Sequence, residues 1–298
     1  RECGNCYYKI NQIREAIESF RRAVSLDGKD SESYRNLGLS LTKIAQHEEA
    51  VKCYQKAIEL NPKDEMAYGD WAGSLASLGR FDQAIEKFKK AIEINPENSV
   101  LYRQCGLSFA GLRKHEEAIG MYVKAVELDS KDFTALGSWG SSLTALGRHK
   151  EAIEQFEKAV KLNQNDAVLY RLFGISNANL GNHKEAVEKF QRAIELNPKD
   201  AISLASCGLS LANLGNHKDA VDNFYKAIEL NPNNAVVYRN CGLSLANLNK
   251  REEAIVNYKK SISLNPNDPV THRNCALSLA KIGNHEESLA NYKKAIEL

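Results

Sequence analysis

Along this chain, apolar and small residues recur three and four positions apart in short blocks, and polar breaks divide the blocks. Spacing of that kind puts such residues on one side of an α-helix. Two kinds of block alternate, and the pair returns every 34 residues. The stretches NLGLSLTKIAQHEEA, QCGLSFAGLRKHEEA, SCGLSLANLGNHKDA and NCGLSLANLNKREEA begin at Asn36, Gln104, Ser206 and Asn240, offsets that are all multiples of 34. With position 1 at Ser31, complete units run over 31–64, 65–98, 99–132, 133–166, 167–200, 201–234 and 235–268. A final unit covers 269–298, and a leading fragment, 1–30, enters at position 5. Each unit predicts a helix A over positions 2–14 and a helix B over positions 17–30. The fold class that follows is all-α: antiparallel helix pairs stacked into one solenoid over 1–298.

The steric skeleton supports that reading. Position 8 is glycine from Gly4 to Gly242 except at Ala72, and alanine again at Ala276. Position 20 is alanine from Ala16 to Ala254 and then Ser288, while position 27 is alanine from Ala23 to Ala295, broken by Ser261. Small residues there let helices approach to the short end of the usual separation, about 8 Å. Position 24 is always a single-ring aromatic, from Phe20 and Tyr54 to Tyr292, the large knob for the space the small residues leave. Asp or Asn at position 34 (Asp30, Asp64, Asn98 and their counterparts) predicts the N-cap of each A helix. Gly79, Gly147, Gly181, Gly215 and Gly283 predict its end, and Asn-Pro pairs such as Asn61-Pro62 predict the end of helix B.

Tyr34, Leu37-Gly38, Leu41, Ala50, Tyr54, Ala57 and Pro62 resemble the signature of the tetratricopeptide repeat family, and the match recurs in phase over the whole chain. The resemblance implies a right-handed superhelix of about one turn, with the A helices lining a concave groove. Trp71 and Trp139 at position 7, and Leu136, Leu204 and His272 at position 4, depart from the pattern. The carboxylate clamp of chaperone-binding relatives is not reproduced: position 6 is never arginine, and Met66 stands where that clamp has lysine.

Composition narrows the function classes without changing the fold. A formal net charge of +2 over 298 residues gives no reason for nucleic acid as a partner, and no apolar run is long enough to span a membrane. Seven cysteines, an odd number in a long chain, argue against a disulfide framework and fit a reducing, cytoplasmic setting. Cys3-Gly4-Asn5-Cys6 has redox or half-zinc spacing. In the repeat frame, however, these cysteines occupy positions 7 and 10, where other units hold core residues and serine. Packing is therefore the expected role, and no metal or cofactor is predicted. Six of the seven histidines fall at position 17 (His47, His115, His149, His183, His217 and His285), the start of helix B, where the ring can pack over the A–B turn. No nucleophile–base pair or phosphate loop lies outside the repeat pattern, so the sequence predicts no enzyme activity.

Recognition is then expected on the residues that packing leaves free on the A helices, at positions 2, 5, 6, 9, 12 and 13. Position 5 alternates Arg35, Arg103, Arg171 and Arg239 with Gly69, Gly137 and Ala205, a 68-residue period that Arg273 ends. Those arginines are candidates for carboxylates of a partner, or for pairing with carboxylates of their own chain. Asn36, Asn240 and Asn274 at position 6, with Leu39, Leu107, Ile175 and Leu243 at position 9, complete the candidate site. The expected partner is an extended or helical peptide carrying acidic and apolar residues. Two alternatives remain: end-to-end self-assembly, since Ile296 and Leu298 close the last unit without a polar cap, and the targeting arm of a larger enzyme.

Overall fold

The computed structural model describes residues 1–298 as eighteen α-helices. They group into two compact units, Arg1–Arg148 and His149–Leu298. The first holds α1 (Glu2–Lys9), α2 (Ile13–Leu26), α3 (Ser31–Lys43), α4 (His47–Leu60), α5 (Glu65–Ser77), α6 (Phe81–Ile94), α7 (Ser99–Gly111), α8 (His115–Leu128) and α9 (Phe133–Ala145). The second holds α10 (His149–Leu162), α11 (Ala167–Asn179), α12 (His183–Leu196), α13 (Ala201–Asn213), α14 (His217–Leu230), α15 (Ala235–Asn247), α16 (Arg251–Leu264), α17 (Pro269–Lys281) and α18 (His285–Glu297). Odd-numbered helices are the A helices, even-numbered ones the B helices.

The B helices occupy positions 17–30, as the spacing predicts. The A helices occupy positions 1–13, one residue earlier than predicted, and the capping geometry gives the reason. Asp30 accepts the backbone N–H of Ser33, and Asp64 that of Ala67. An N-cap at position 34 makes the very next residue the first helical one. At the other end Gln46 N–H bonds Leu41 C=O at 2.9 Å and Ala45 N–H bonds Thr42 C=O at 3.0 Å. This paired closure needs a left-handed residue at position 15. Five units supply glycine there, Gly79 at φ 74° among them, while Asn11, Ala45, Arg113 and Asn249 take φ near +60° without glycine's freedom (61°, 59°, 59° and 61°).

Packing follows the small-residue skeleton. The alanines at position 20 from Ala16 to Ala254 are fully buried, as are the aromatic knobs Phe20, Tyr54, Tyr122, Phe156, Phe190 and Phe224. A Cβ added at Gly38 would lie 2.6 Å from Tyr54 Cε1, and one at Gly106 2.6 Å from Tyr122 Cε1. Glycine at position 8 is thus the price of seating the ring against the A helix. Where serine replaces a buried alanine, its hydroxyl is bonded: Ser261 Oγ donates to Ala235 C=O, and Ser288 Oγ to Ala276 C=O, both at 2.8 Å.

Within each compact unit, every A helix packs on its own B helix and each B helix on the next A helix. Successive A helices also touch directly (α3 with α5, α5 with α7, α7 with α9; α11 with α13, α13 with α15, α15 with α17), whereas no B helix packs comparably on the next B helix. Closer spacing along one side puts the A helices on the inner side of each unit's curve.

The tandem cysteines require a correction. Cys105, Cys207, Cys241 and Cys275 at position 7 are buried as predicted, but Cys3 and Cys6 are exposed. Among the helices only α2 packs substantially on α1, which leaves both thiols uncovered. Burial pushes the Cys207 thiol up to about 11, with a small contribution from Asp219, so it packs as a protonated, unreactive group.

Candidate functional site

Each A helix turns its small and aliphatic stripe into the core and leaves positions 2 and 9, seven residues apart, on one outer line. Those positions carry apolar side chains except at Asn5, Glu32, Gly73, Thr134 and Ser141. In the first compact unit Met66, Val100 and Leu107 are 41–54% exposed; in the second, Val168, Ile202, Leu209, Val236, Leu243, Val270 and Leu277 are 41–56% exposed. Of the predicted position-9 residues, Leu107 and Leu243 stand on this surface. Leu39 and Ile175 are half-buried against the neighbouring core clusters. Contiguous apolar exposure over successive helices is costly to solubility and usually marks a partner site.

The arginine row resolves differently from that apolar line. Arg35 lies 3.7 Å from Asp64, Arg103 2.8 Å from Asp132, and Arg171 and Arg239 each 2.9 Å from Asp200 and Asp268. Every partner is the position-34 aspartate of the same unit, the residue that caps the next A helix. Arg1, which falls at position 5 of the leading fragment, does the same with Asp30 at 3.5 Å. Burial would raise the Asp200 carboxyl, but the Ser203 hydroxyl, the Arg171 guanidinium and the Ile202 N–H outweigh it and hold it below the ordinary carboxylate range. The pairing of arginine with a carboxylate of its own chain therefore prevails at four of the five candidates. Arg273 is exposed, and the position that pairs with its counterparts, 29 residues later, lies beyond Leu298.

Beside two of the three position-5 residues that are not arginine, Gly69 and Ala205, a cavity opens on the A-helix face. A cavity of about 330 Å³ in the first compact unit is lined by Arg35, Leu39, Glu65, Met66, Gly69, Asp70, Asn98, Val100, Leu101 and Gln104. A cavity of about 270 Å³ in the second is lined by Ile202, Ala205, Ser206, Leu209, Asn234, Val236, Val237 and Asn240, with Phe224 below. Eight lining residues of the first recur in the second at an offset of 136 (Met66 with Ile202, Gly69 with Ala205, Asn98 with Asn234 among them), whereas Arg35 and Leu39 have no counterpart there. Their floors come from position 3 of the following helix, Leu101 and Val237, which are large. After an arginine that position is small: Ser33, Ala67, Ala135, Ser203 or Thr271. A Cβ on Gly69 would meet Leu101 Cδ2 at 2.9 Å, so the leucine occupies the space an arginine stem would take.

The rims carry polar groups that the sequence reading did not select. Glu65 Oε1 accepts from Asn95 Nδ2 at 3.1 Å and from Asn98 Nδ2 at 3.3 Å, while Asn98 Oδ1 caps α7 through the Val100 N–H. Asp70 is half-buried on the same rim without an internal hydrogen bond; desolvation first, then Asp64 and Glu65, raise its carboxyl to about 6 against the opposing pull of Arg35. Of the predicted asparagines, Asn36 donates to Asn5 Oδ1 at 3.0 Å, Asn240 lines the second cavity, and Asn274 lies beyond both. At position 17, His47, His115, His149, His183 and His217 each bury Nδ1 without a partner, so their rings act as apolar plates. No group of three His, Cys, Asp or Glu side chains is gathered as metal ligands would be, and no helix is long and apolar enough to cross a membrane.

Comparison with known proteins agrees with this geometry. Family models described as tetratricopeptide repeat match residues 4–30, 31–64, 106–167, 172–235 and 237–268, and one described as TPR repeat matches 74–112. Among solved structures, YrrB, described as a TPR protein with an unusual peptide-binding site, is 32% identical, covers 63% of this chain and 96% of its own, and superposes with a TM-score of 0.58. A structure of MamA (MSR-1) is 30% identical over 55% of this chain and 95% of its own, with a TM-score of 0.51. The APC/C hetero-tetramer Cut9–Hcn1, at 21% identity, covers 95% of this chain and 56% of its own with a TM-score of 0.56, a likeness of fold. No curated protein sequence matches.

Proposed function

Since the chain belongs to the tetratricopeptide repeat family, we infer that it is a non-catalytic protein-interaction scaffold whose A-helix face holds an extended or helical peptide segment. The observation that carries this reading is the exposed apolar line at positions 2 and 9, which opens into a cavity in each compact unit. YrrB, at 32% identity, is described as having a peptide-binding site, which adds support. Side chains of the partner would enter the cavities beside Gly69 and Ala205. Its backbone would meet amides such as Asn240 on the rim.

The acidic part of the expected partner rests on fewer groups than the sequence suggests. Arg35, Arg103, Arg171 and Arg239 are each matched by a carboxylate, so each pair is neutral overall.

Selection from a displayed peptide library against the full chain, followed by calorimetry with the enriched peptides, tests the reading. Leu107→Asp, Ile202→Asp and Leu243→Asp should each weaken binding at least about tenfold if these side chains are desolvated by the peptide. Binders that ignore all three substitutions, or no enrichment at all, would refute it.

A further inference from the structure

The two cavities share an architecture and differ in the polarity of their rims. In the second, position 1 is Ala201 and position 6 is Ser206, so the side-chain amides of Asn231 and Asn234 face the space without a carboxylate to receive them. In the first, the same two places are Glu65 and Asp70.

We propose that the cavity at Gly69 receives a long cationic side chain, lysine or arginine, of a bound peptide, while the cavity at Ala205 receives a neutral apolar one. This rests on the peptide-binding reading above and adds its chemical selectivity.

Three features carry it. The first is space: a cavity of about 330 Å³ holds an extended lysine side chain with room for water around the ammonium. The second is its walls. Met66, Val100 and Leu101 are apolar at the depth where a methylene stem would lie, and a cationic side chain pairs such a stem with a polar head. The third is the rim charge. Arg35 also lines the cavity, but its single charge is shared between Asp64 at 3.7 Å and Asp70, so with Glu65 the three carboxylates outnumber the one guanidinium. Glu65 is held in place by two amides that both donate to Oε1, and Oε2 takes no bond within the chain. Asp70 has no internal hydrogen-bond donor at all. Burial disfavours its bare anion, and a cationic head drawn in beside it would offset that cost.

The probes are three blocked nonapeptides with one alanine–leucine frame and a central lysine, norleucine or glutamate, titrated into the full chain. Affinity is read by calorimetry, and the place of binding by the backbone amide shifts of Gly69 and Ala205. The lysine peptide should perturb Gly69 and bind there about tenfold more tightly than the norleucine peptide, the size of one charge-assisted hydrogen bond. The glutamate peptide should be weaker than both. Asp70→Asn combined with Glu65→Gln keeps the shape of the rim and should erase the lysine advantage while leaving the norleucine affinity unchanged. Equal affinity of lysine and norleucine peptides at Gly69, or an advantage that survives the double substitution, overturns the selectivity and spares the peptide-binding reading. If none of the three peptides moves either amide, both fall.

Discussion

Replacing Asp70 by asparagine removes a carboxylate that the fold holds at a loss. Its pKa in the folded chain is about 6, against an ordinary value of 3.8, because burial disfavours the anion more than Arg35 attracts it, with Asp64 and Glu65 adding to the rise. A raised carboxyl pKa means that the folded state binds the proton more tightly than the unfolded one. The folded chain therefore gains stability as pH falls through 6 toward 4, and above 6 it bears the whole cost. Roughly two pH units at 1.36 kcal/mol each set an upper bound of about 3 kcal/mol, and partial exposure of the group reduces it to about 2 kcal/mol. Asp70→Asn, nearly isosteric and never ionised, should recover about that much at pH 7.5 and about half of it at pH 5. Urea unfolding followed by tryptophan emission is the assay, because Trp71 and Trp139 both lie in the first compact unit and report on it alone. Titration of every other group is common to both proteins, so the difference between them isolates Asp70. If the variant is no more stable than the parent at pH 7.5, or if the difference between them does not change between pH 5 and 7.5, the account of the Gly69 rim is wrong.

Ala45 sits at φ 59° in a place where other units use glycine, so Ala45→Gly should raise the unfolding midpoint by the equivalent of about 1 kcal/mol. Gly79→Ala, with nothing within 4 Å of the added Cβ, should lower it by a similar amount through backbone conformation alone. Asp200→Asn keeps an N-cap acceptor and loses the ion pair, whereas Asp200→Ala loses both. Urea midpoints should therefore fall by about 1 kcal/mol for the first and about 2 kcal/mol for the second. The carboxyls of Asp30, Asp200 and Asp268 are held low by hydroxyl, arginine and backbone donors, so their contribution should vanish only below pH 4, as the folded groups protonate. A thiol reagent on the native chain should modify Cys3 and Cys6 within minutes and the five buried cysteines only on unfolding, read as two adducts by intact mass. Gly69→Arg with Asn98→Asp and Leu101→Ala copies the arginine arrangement of the unit at 99–132. It should leave the circular dichroism melt intact and abolish peptide binding at that cavity.

The helices were legible because their determinants are steric and local. Gly38 faces Tyr54 and Gly106 faces Tyr122 for the same reason in each unit, and a requirement repeated at fixed spacing can be read without coordinates. The candidate site was less legible because its pairings join residues 29 apart that no helical or turn periodicity connects. Arg171 and Asp200 are such a pair, as are Arg239 and Asp268. The signal existed in the alternation itself. Arg1, Arg35, Arg103, Arg171 and Arg239 are each followed by an aspartate at position 34, while Gly69 and Ala205 are followed by Asn98 and Asn234. Gly137 with Asp166 breaks that correlation, but the size of the next position 3 does not break: Leu101, Leu169 and Val237 after the small residues, and serine, alanine or threonine after every one of those five arginines. Three positions varying together amount to one spatial statement, that the stem at position 5 and the side chain at the next position 3 compete for the same volume. The charge of the Gly69 rim had no such signal, since Glu65 and Asp70 break no repeat rule and acquire meaning only once Asn95 and Asn98 are seen to fix one of them.

That competition for volume also explains why two kinds of unit alternate. An arginine at position 5 reaches from one A helix to the cap of the next and ties successive helices together at their inner edge, where a recognition surface must not yield. A residue without a side chain of that length yields the stem's place to the next position 3, as Gly69 does to Leu101, and leaves the caps untied beside a cavity. A face made only of arginine units would be tied and closed; one made only of small residues would be open but would lack those cross-links between its caps. Alternation gives each open position an arginine-tied neighbour, and Arg35 beside the Gly69 cavity shows the two in contact. The place of the anchor that each compact unit accepts is then set by the repeat rather than by the partner.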